Sequence, residues 1–511
     1  MVVRRCLFLL ILLGVITQCA ARRNYRQTSR LLMRTPVEHI GNVLLYRQFI
    51  ENNIVARDFL PPRPLWELSL ETKLRKQDSA YIRTFSPKKR QEYAILGSGE
   101  YTQNERTYFG DFCAVYSSFG ARYGAKTPNA DYFYPYLVLD TTRSAPAGWT
   151  GQLSFGHIWR TRQWVFGIAG ECKAEQIGAE GDIRHLTKGI EFSLREGVYV
   201  WVDDYWLGQW GTFSHYWQQL EVTSQIGARP FYRHLGFGLW NWDRTIDAEA
   251  MSFDNKTGQV EAGLQVTSRD DGLVADVHGA HRWMFHADKA YLAAASSERQ
   301  NLRARLGYRI ALGEGIIECL ADIKLHNRTG VEHFYDSVGR RGNKRYERLF
   351  ASPMYTNTTR IMGMSIASEL PIRKGYAWGK IWGGYGTYKS KYENPENNYR
   401  NSYFRCEAEL GYLFRKYDNW LSFQIRGAWQ SHANAERSFS RHLKEPLKSS
   451  FLLPTLANLE ASQLEVAVQL ECGYKLRNSY TLVAVPHLGI HTLPNVGNSF
   501  YGGLVLRIRK E

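Results

Sequence analysis

Apolar side chains recur at every second position of this sequence from about residue 65 to the C-terminus. The clearest stretch is 463–474, where Leu464, Val466, Val468, Leu470, Cys472 and Tyr474 alternate with Gln463, Glu465, Gln469 and Glu471, with Ala467 and Gly473 between. Residues 402–412 set Phe404, Cys406, Ala408, Leu410 and Tyr412 against Arg405, Glu407 and Glu409. Residues 302–310 set Ala304, Leu306, Tyr308 and Ile310 against Arg303, Arg305 and Arg309, and 421–429 set Leu421, Phe423, Ile425 and Trp429 against Ser422, Gln424 and Arg426. Successive side chains of a strand point to opposite faces, so each stretch reads as a strand that is half apolar and half charged. Soluble sheets alternate in the same way, but their strands are about 5–6 residues long. Most of these run to ten or so, the roughly 9–11 residues that a tilted membrane strand needs. The 31 Tyr, 15 Trp and 44 Gly fit a barrel with an apolar outer face and aromatic girdles. The fold expected is all-β, a transmembrane antiparallel barrel.

The connections support that reading. Tight turns fall at Gln103–Arg106, Arg160–Arg162, Asp203-Asp204, Arg269–Gly272, Gly313–Gly315, Glu369–Gly375, Lys416–Asn419 and Arg477–Ser479, and most contain the Gly, Asn or Asp that hairpin geometry favours. Longer connections are expected at 75–92, 120–148, 176–186, 217–257, 286–299, 329–355, 392–400 and 432–458. Short and long alternate, as periplasmic turns and extracellular loops do in membrane barrels. Counting strands between them gives about eighteen, within roughly 14–18, an even number that puts both barrel ends on one side. The longest loop, 217–257, is expected to carry structure of its own around Phe231–Trp242, because so many aromatics would not stay solvated.

The chain opens like a secretory signal: Arg4 and Arg5, an apolar run from Leu7 to Ile16, then Cys19-Ala20-Ala21 as a cleavage site before Arg22. Residues 1–21 read as the signal peptide, 22–64 as a periplasmic or plug segment, and 65–511 as the barrel. Segment 22–64 does not alternate; Val37–Phe49 suits a short amphipathic helix, and Pro61-Pro62-Arg63-Pro64 a stiff approach to the first strand. It is too short for the plug domain of an energised receptor. No later stretch approaches 18 consecutive apolar residues, so helical spans are not expected. The formal charge of +16 suits anionic head groups and lipopolysaccharide as well as nucleic acid, and an exported chain is not expected to meet nucleic acid. Cys113, Cys172, Cys319, Cys406 and Cys472 are widely spaced and show no C-x-x-C pair, so neither a disulfide framework nor a zinc site is expected.

Further residues carry a resemblance: Leu96-Gly-Ser-Gly-Glu100 leading into Tyr108-Phe109-Gly110, then Asp131-Tyr-Phe-Tyr-Pro135-Tyr136, then Ser154-Phe-Gly156 with Trp164-Val-Phe-Gly167. In this order, over about 90–285, the chain resembles the uncharacterised outer-membrane β-barrel proteins of Bacteroidota grouped as a domain of unknown function. Through Asn53-Ile-Val-Ala56 before the first strand it is distantly similar to the long-chain fatty acid transporter class of barrels, departing from it where Ile54 stands in place of Pro. The resemblance implies an outer-membrane location and supplies no substrate or catalytic residue.

No H-E-x-x-H, G-x-S-x-G or P-loop is present. No catalytic residue, cofactor or metal ligand is therefore assigned, and the chain is not expected to be an enzyme. His157 and His278 are candidate bases by residue type, and the plain reading of each is a satisfied or lumen-facing histidine. The aromatic run Tyr132–Tyr136 reads as packing over the rim, and Arg340–Arg345 as a loop meeting lipopolysaccharide phosphates or water. The residues expected to line the lumen are Glu191, Glu261, Asp276, His278, Arg303, Arg305, Arg309, Glu318, Asp322, Glu407, Arg426, Glu465, Gln469 and Glu471, with Arg195, Lys324 and Arg405. Gly313-Glu314 as a two-residue hairpin loop would set Arg309 opposite Glu318 and Arg305 opposite Asp322, two opposite-charge pairs. The expected function is passage of a small solute or nutrient across the outer membrane, alone or beside an energised uptake receptor or surface lipoprotein. The alternatives are a barrel enzyme acting on lipid or peptide, and a structural barrel that presents its loops to a partner.

Overall fold

The computed structural model describes residues 53–55, 65–77, 89–120, 122–125, 136–179, 183–224, 229–235, 241–248, 250–268, 271–288, 293–313, 315–338, 345–372, 375–393, 396–416, 419–439, 456–457, 460–476, 480–493 and 497–510. The expected signal peptide, the run Tyr132–Pro135, most of Arg340–Arg345 and Glu314 lie outside these residues.

Eighteen strands form one closed antiparallel barrel. They are β1 (Trp66–Gln77), β2 (Lys89–Gln103), β3 (Arg106–Phe119), β6 (Ala147–Arg160), β7 (Trp164–Ala179), β8 (Ile183–Val202), β9 (Tyr205–Ser224), β12 (Ala250–Ser268), β13 (Gly272–Asp288), β14 (Ala293–Leu312), β15 (Gly315–Val338), β16 (Arg345–Ile372), β17 (Gly375–Tyr392), β18 (Asn397–Lys416), β19 (Asn419–Ser438), β20 (Gln463–Lys475), β21 (Tyr480–Leu493) and β22 (Gly497–Lys510). Each pairs with the next in this order, and β1 pairs with β22, from Trp66 opposite Lys510 to Gln77 opposite Ser499. The strands β4 (Arg122–Ala125), β5 (Tyr136–Ser144), β10 (Arg229–Leu235) and β11 (Asn241–Ala248) make a separate sheet from two long connections. The structure expected around Phe231–Trp242 is thus the β10–β11 hairpin, joined to β5.

The eighteen segments expected from alternation correspond one to one with the barrel strands. All the short connections lie at one end, with Trp66 and Lys510, and the 217–257 connection lies at the other. The turn end is built by residues that accept a left-handed backbone: φ is +58° at Asn104, +52° at Asp203 and +64° at Gly313. Strand length differs from expectation. Much of 176–186, 286–299 and 329–355 is strand, and β15 and β16 reach 24 and 28 residues. Beyond a membrane both strand faces meet water, so apolar alternation stops while the hydrogen-bonded ladder continues.

The outer face is apolar. Leu464, Val468, Leu470, Phe404, Leu410, Phe423 and Ile425 are all exposed, while Glu465, Gln469, Glu407 and Gln424 alternate with them on the opposite face. Tyr101, Tyr108, Trp159, Tyr308, Tyr412 and Tyr474 are exposed on that outer face near the turn end, as an interfacial girdle would be. His157 belongs to this girdle rather than to the lumen: it stacks on Tyr108 with ring centroids 4.5 Å apart and lies 5.2 Å from Trp159. Its position in β6 places it on the same face as the exposed Phe155 and Leu153, which corrects the lumen-facing reading. All five described cysteines are free; Cys172, Cys319, Cys406 and Cys472 fall on the outer face, and Cys113 on the inner one.

Val468→Arg is expected to cost about 2–4 kcal/mol by placing a charge in the apolar band. Gln469→Arg, one residue on and facing inward, should cost far less. Urea titration of the protein folded into vesicles measures both; equal losses would mean that the band is not the lipid face.

Candidate functional site

The inner face is lined by charge, and neighbouring strands hold it in pairs. The β14–β15 hairpin has the expected register: Leu312 faces Gly315, Arg309 faces Glu318 and Arg305 faces Asp322. Arg309 binds the Glu318 carboxylate, Nε to Oε1 at 2.6 Å, and donates to the Ser268 carbonyl at 3.1 Å. Arg305 and Asp322, although opposite, do not form the ion pair expected of them. Arg305 instead donates to Asp276 on its other side at 3.0 Å, and Asp322 accepts from Arg303 at 2.8 and 3.0 Å and from Lys324 at 3.3 Å. The cause is local charge balance: Arg303 faces Lys324 directly, and Asp322 neutralises both. Asp276 also holds His278 Nδ1 at 3.0 Å and accepts from Gln265 at 3.1 Å; Tyr199 donates to Gln265 at 2.5 Å. Asp276, Arg305, Arg309 and Glu318 are each 0–2 % exposed, so this sector of the lumen is packed, not water-filled.

A second group lies on β18–β20. Glu407 takes Arg405 at 2.8 Å and Arg426 at 3.7 Å, and Gln424 donates to Glu409 at 2.7 Å. Glu465 accepts from Tyr501 at 2.8 Å, and Glu471 lies 3.4 Å from the Trp420 indole nitrogen. Arg195 reaches Glu171 at 3.0 Å and Gln259 reaches Glu261 at 3.4 Å. Glu191 faces Lys173 and Tyr216 across its ladders, and Gln469 faces Gln424 and His487.

At the turn end buried apolar side chains pack on the inner face of the barrel. Val274, Leu320, Ala367, Trp378, Leu413, Trp420, Val483, Val485 and Val505 form one buried cluster. Phe109, Ile158, Val165, Ala169, Tyr199 and Trp206 form another, completed by Val55 from the N-terminal segment. Gly167 and Gly197 sit directly opposite on β7 and β8, and a Cβ at either would run into Asn53, Ile54 or Val55. Paired glycines thus hollow the wall for a three-residue peg. Asn53 ties it down, donating to the Gln209 carbonyl at 3.3 Å and accepting from the Val55 amide at 3.1 Å.

Neither cluster draws on β1 or β2, and two cavities lie along that wall. The one toward the loop end, about 570 Å³, is lined by Lys73, Arg75, Arg90, Arg405, Glu92 and Glu465 with His487, His491 and Tyr501. The one toward the turn end, about 440 Å³, is lined by Glu67, Glu71, Asp111, Arg507, Ser69, Ser154 and Cys113. Sequence reasoning placed only Arg405 and Glu465 of these on the inner face. The signal was present in the first strand, where Glu67, Ser69, Glu71, Lys73 and Arg75 alternate with Leu68, Leu70 and Leu74. Among the described residues no group of three His, Cys, Asp or Glu side chains is placed to hold a metal ion.

This is a closed transmembrane β-barrel with a braced polar interior, two lumenal cavities and an apolar outer face. The chain belongs to the family of unknown function DUF6850, whose model matches residues 68–503. No curated protein matches it. Among solved structures it is similar to the ferric preacinetobactin receptor BauA of Acinetobacter baumannii (8% identity, 87% of this chain and 80% of that one, TM-score 0.40). It is also similar to the ferric citrate transporter FecA (8% identity, 88% and 79%, TM-score 0.38) and to the Pseudomonas putida toluene transporter TodX (12% identity, 92% and 93%, TM-score 0.30). The likeness is distant and says nothing of this chain's cargo.

Removing one partner of a buried ion pair leaves the other charge uncompensated, typically at about 3–5 kcal/mol. Arg309→Met should incur a loss of this order, and the double variant R309M/E318M should recover most of it. Equal unfolding free energies for the single and double variants would show that Arg309 does not hold Glu318.

Proposed function

We propose that this protein is an outer-membrane barrel that passes a small polar solute along the wall formed by β1, β2 and β22, alone or beside an energised uptake system. The observation that carries the reading is the succession of two polar cavities along that wall, beside β1 and β2, on which neither apolar cluster draws. Volumes of about 570 and 440 Å³ are in the range of small-ligand sites. The apolar outer face and charged inner face suit an outer membrane, with the turn end in the periplasm and the long connections outside. Asn53–Val55 then act as a plug contact on the periplasmic side, seated against β7 and β8.

A second reading, a structural barrel that presents its loop-end sheet to a partner, is favoured by the packed ion pairs of β12–β15. Planar-bilayer recording separates the two. The solute-path reading expects small, steady current steps, larger ones when the peg is weakened as N53A/V55S, and altered ion selectivity in Arg75→Glu. Silence in all three proteins would overturn it and leave the structural reading.

A further inference from the structure

On the outer face, three neighbouring strands place cations just beyond the apolar band. Arg360 on β16 follows Met362, Met364 and Ile366 on the same face; Lys389 on β17 follows Ile381 and Tyr385; Arg400 on β18 follows Phe404 and Leu410. Arg360, Lys389 and Arg400 are all exposed. They stand 12, 14 and 16 residues from the turn-end bounds Ile372, Gly375 and Lys416, past the roughly 9–11 residues that a tilted span requires. Cations therefore begin where acyl chains would give way to head groups.

Lys389 lies directly opposite Arg400, and also opposite Thr358, two residues from Arg360. Like charges directly opposite each other in a ladder are destabilising, and diagonal neighbours are still within reach of long side chains. Two carboxylates border the group: Glu436 lies 3.8 Å from Arg400, and Glu393 pairs at 2.8 Å with Lys391, one step further out on β17. Neither comes between Lys389 and Arg400 in the ladder. The opposition recurs on a smaller scale where Lys76 faces Lys89 on β1 and β2, both exposed.

We infer that Arg360, Lys389 and Arg400 form a binding site for a lipid of the outer leaflet that carries more than one phosphate. Its phosphates bridge the opposed cations, and its acyl chains lie on Met362, Tyr385 and Phe404. Guanidinium groups suit this role because their planar donors match phosphate oxygens two at a time. The inference rests on the outer-membrane reading but not on solute passage, so a silent bilayer recording leaves it standing.

The test uses the full chain folded in detergent micelles, with native mass spectrometry reading retained lipid. The probes are a bis-phosphorylated lipid A, the same lipid with its phosphates removed, and inorganic phosphate. The phosphorylated lipid is expected to be retained at least ten-fold better than the dephosphorylated one. The variant R360Q/K389Q/R400Q should bring the two level, while K188Q/K256Q, which neutralises outward lysines of β8 and β12, should not. Equal retention of the two lipids by the unaltered protein overturns the site, and that comparison needs no variant to fold. Equal retention of the phosphorylated lipid by the unaltered protein and the triple variant also overturns it. Inorganic phosphate retained as well as the lipid overturns the lipid assignment.

Discussion

The structure depends on one constraint: a backbone that crosses lipid must satisfy every amide and carbonyl within itself. An open sheet fails at its two edges, and a closed barrel has none. The β1–β22 ladder, running from Trp66–Lys510 to Gln77–Ser499, removes the last edge. Once closure is imposed, the two faces of each strand separate. One meets lipid and must be apolar; the other is free to carry charge. The alternation of Leu464, Val466 and Val468 with Glu465 and Gln469 follows from that division and from no requirement for a conventional core.

Inside, the charges brace rather than hydrate. An 18-stranded barrel has room for water, yet Asp276 and Glu318 are almost wholly buried. Asp276 on β13 draws on both neighbouring strands, accepting from Gln265 on β12 and Arg305 on β14, and Glu318 on β15 binds Arg309 on β14; the further basic partners come from the acids' own strands. Asp276 takes Arg305 and His278, while Asp322 takes Arg303 and Lys324. Each acid is thus shared between two basic groups, which stitches β13, β14 and β15 together. A slip of one residue would turn these charges into the membrane, so the interior network and the lipid face hold the same register.

This also explains what was legible in the sequence. Strand number, the turn end and the Gly313 hairpin register were readable, because period-two alternation and turn chemistry are local. The pairing of Arg305 was not, because two strands compete for its guanidinium and only the closed sheet shows both. The outer strand ends were missed since their alternation lapses above the band. Of the two readings of His157, satisfied or lumen-facing, the second fails: its aromatic neighbour Tyr108 is on another strand, and a histidine in a girdle looks in sequence like a histidine in a lumen. The wall cavities went unseen for a different reason: β22 is far from the β1–β2 hairpin in sequence and meets β1 only through closure.

Closure also puts a polar inner wall where the first and last strands meet. The apolar clusters at the turn end draw on β3 and β6–β9, and on β13, β15–β19, β21 and β22, but not on β1 or β2. Filling that sector would require large apolar side chains on the inward face of the first hairpin, where Ser69, Glu71 and Ser98 stand. The peg is seated instead against β7 and β8, where Gly167 and Gly197 make room for it. The segment that follows the peg must then reach β1, which begins at Trp66. Asn53 anchors the peg through the Gln209 carbonyl, and β1 is held through its two ladders. The peg and the first strand are thus fixed on different parts of the wall: the peg against β7–β9, and β1, with Glu67, Glu71 and Lys73 of the two cavities, between β2 and β22.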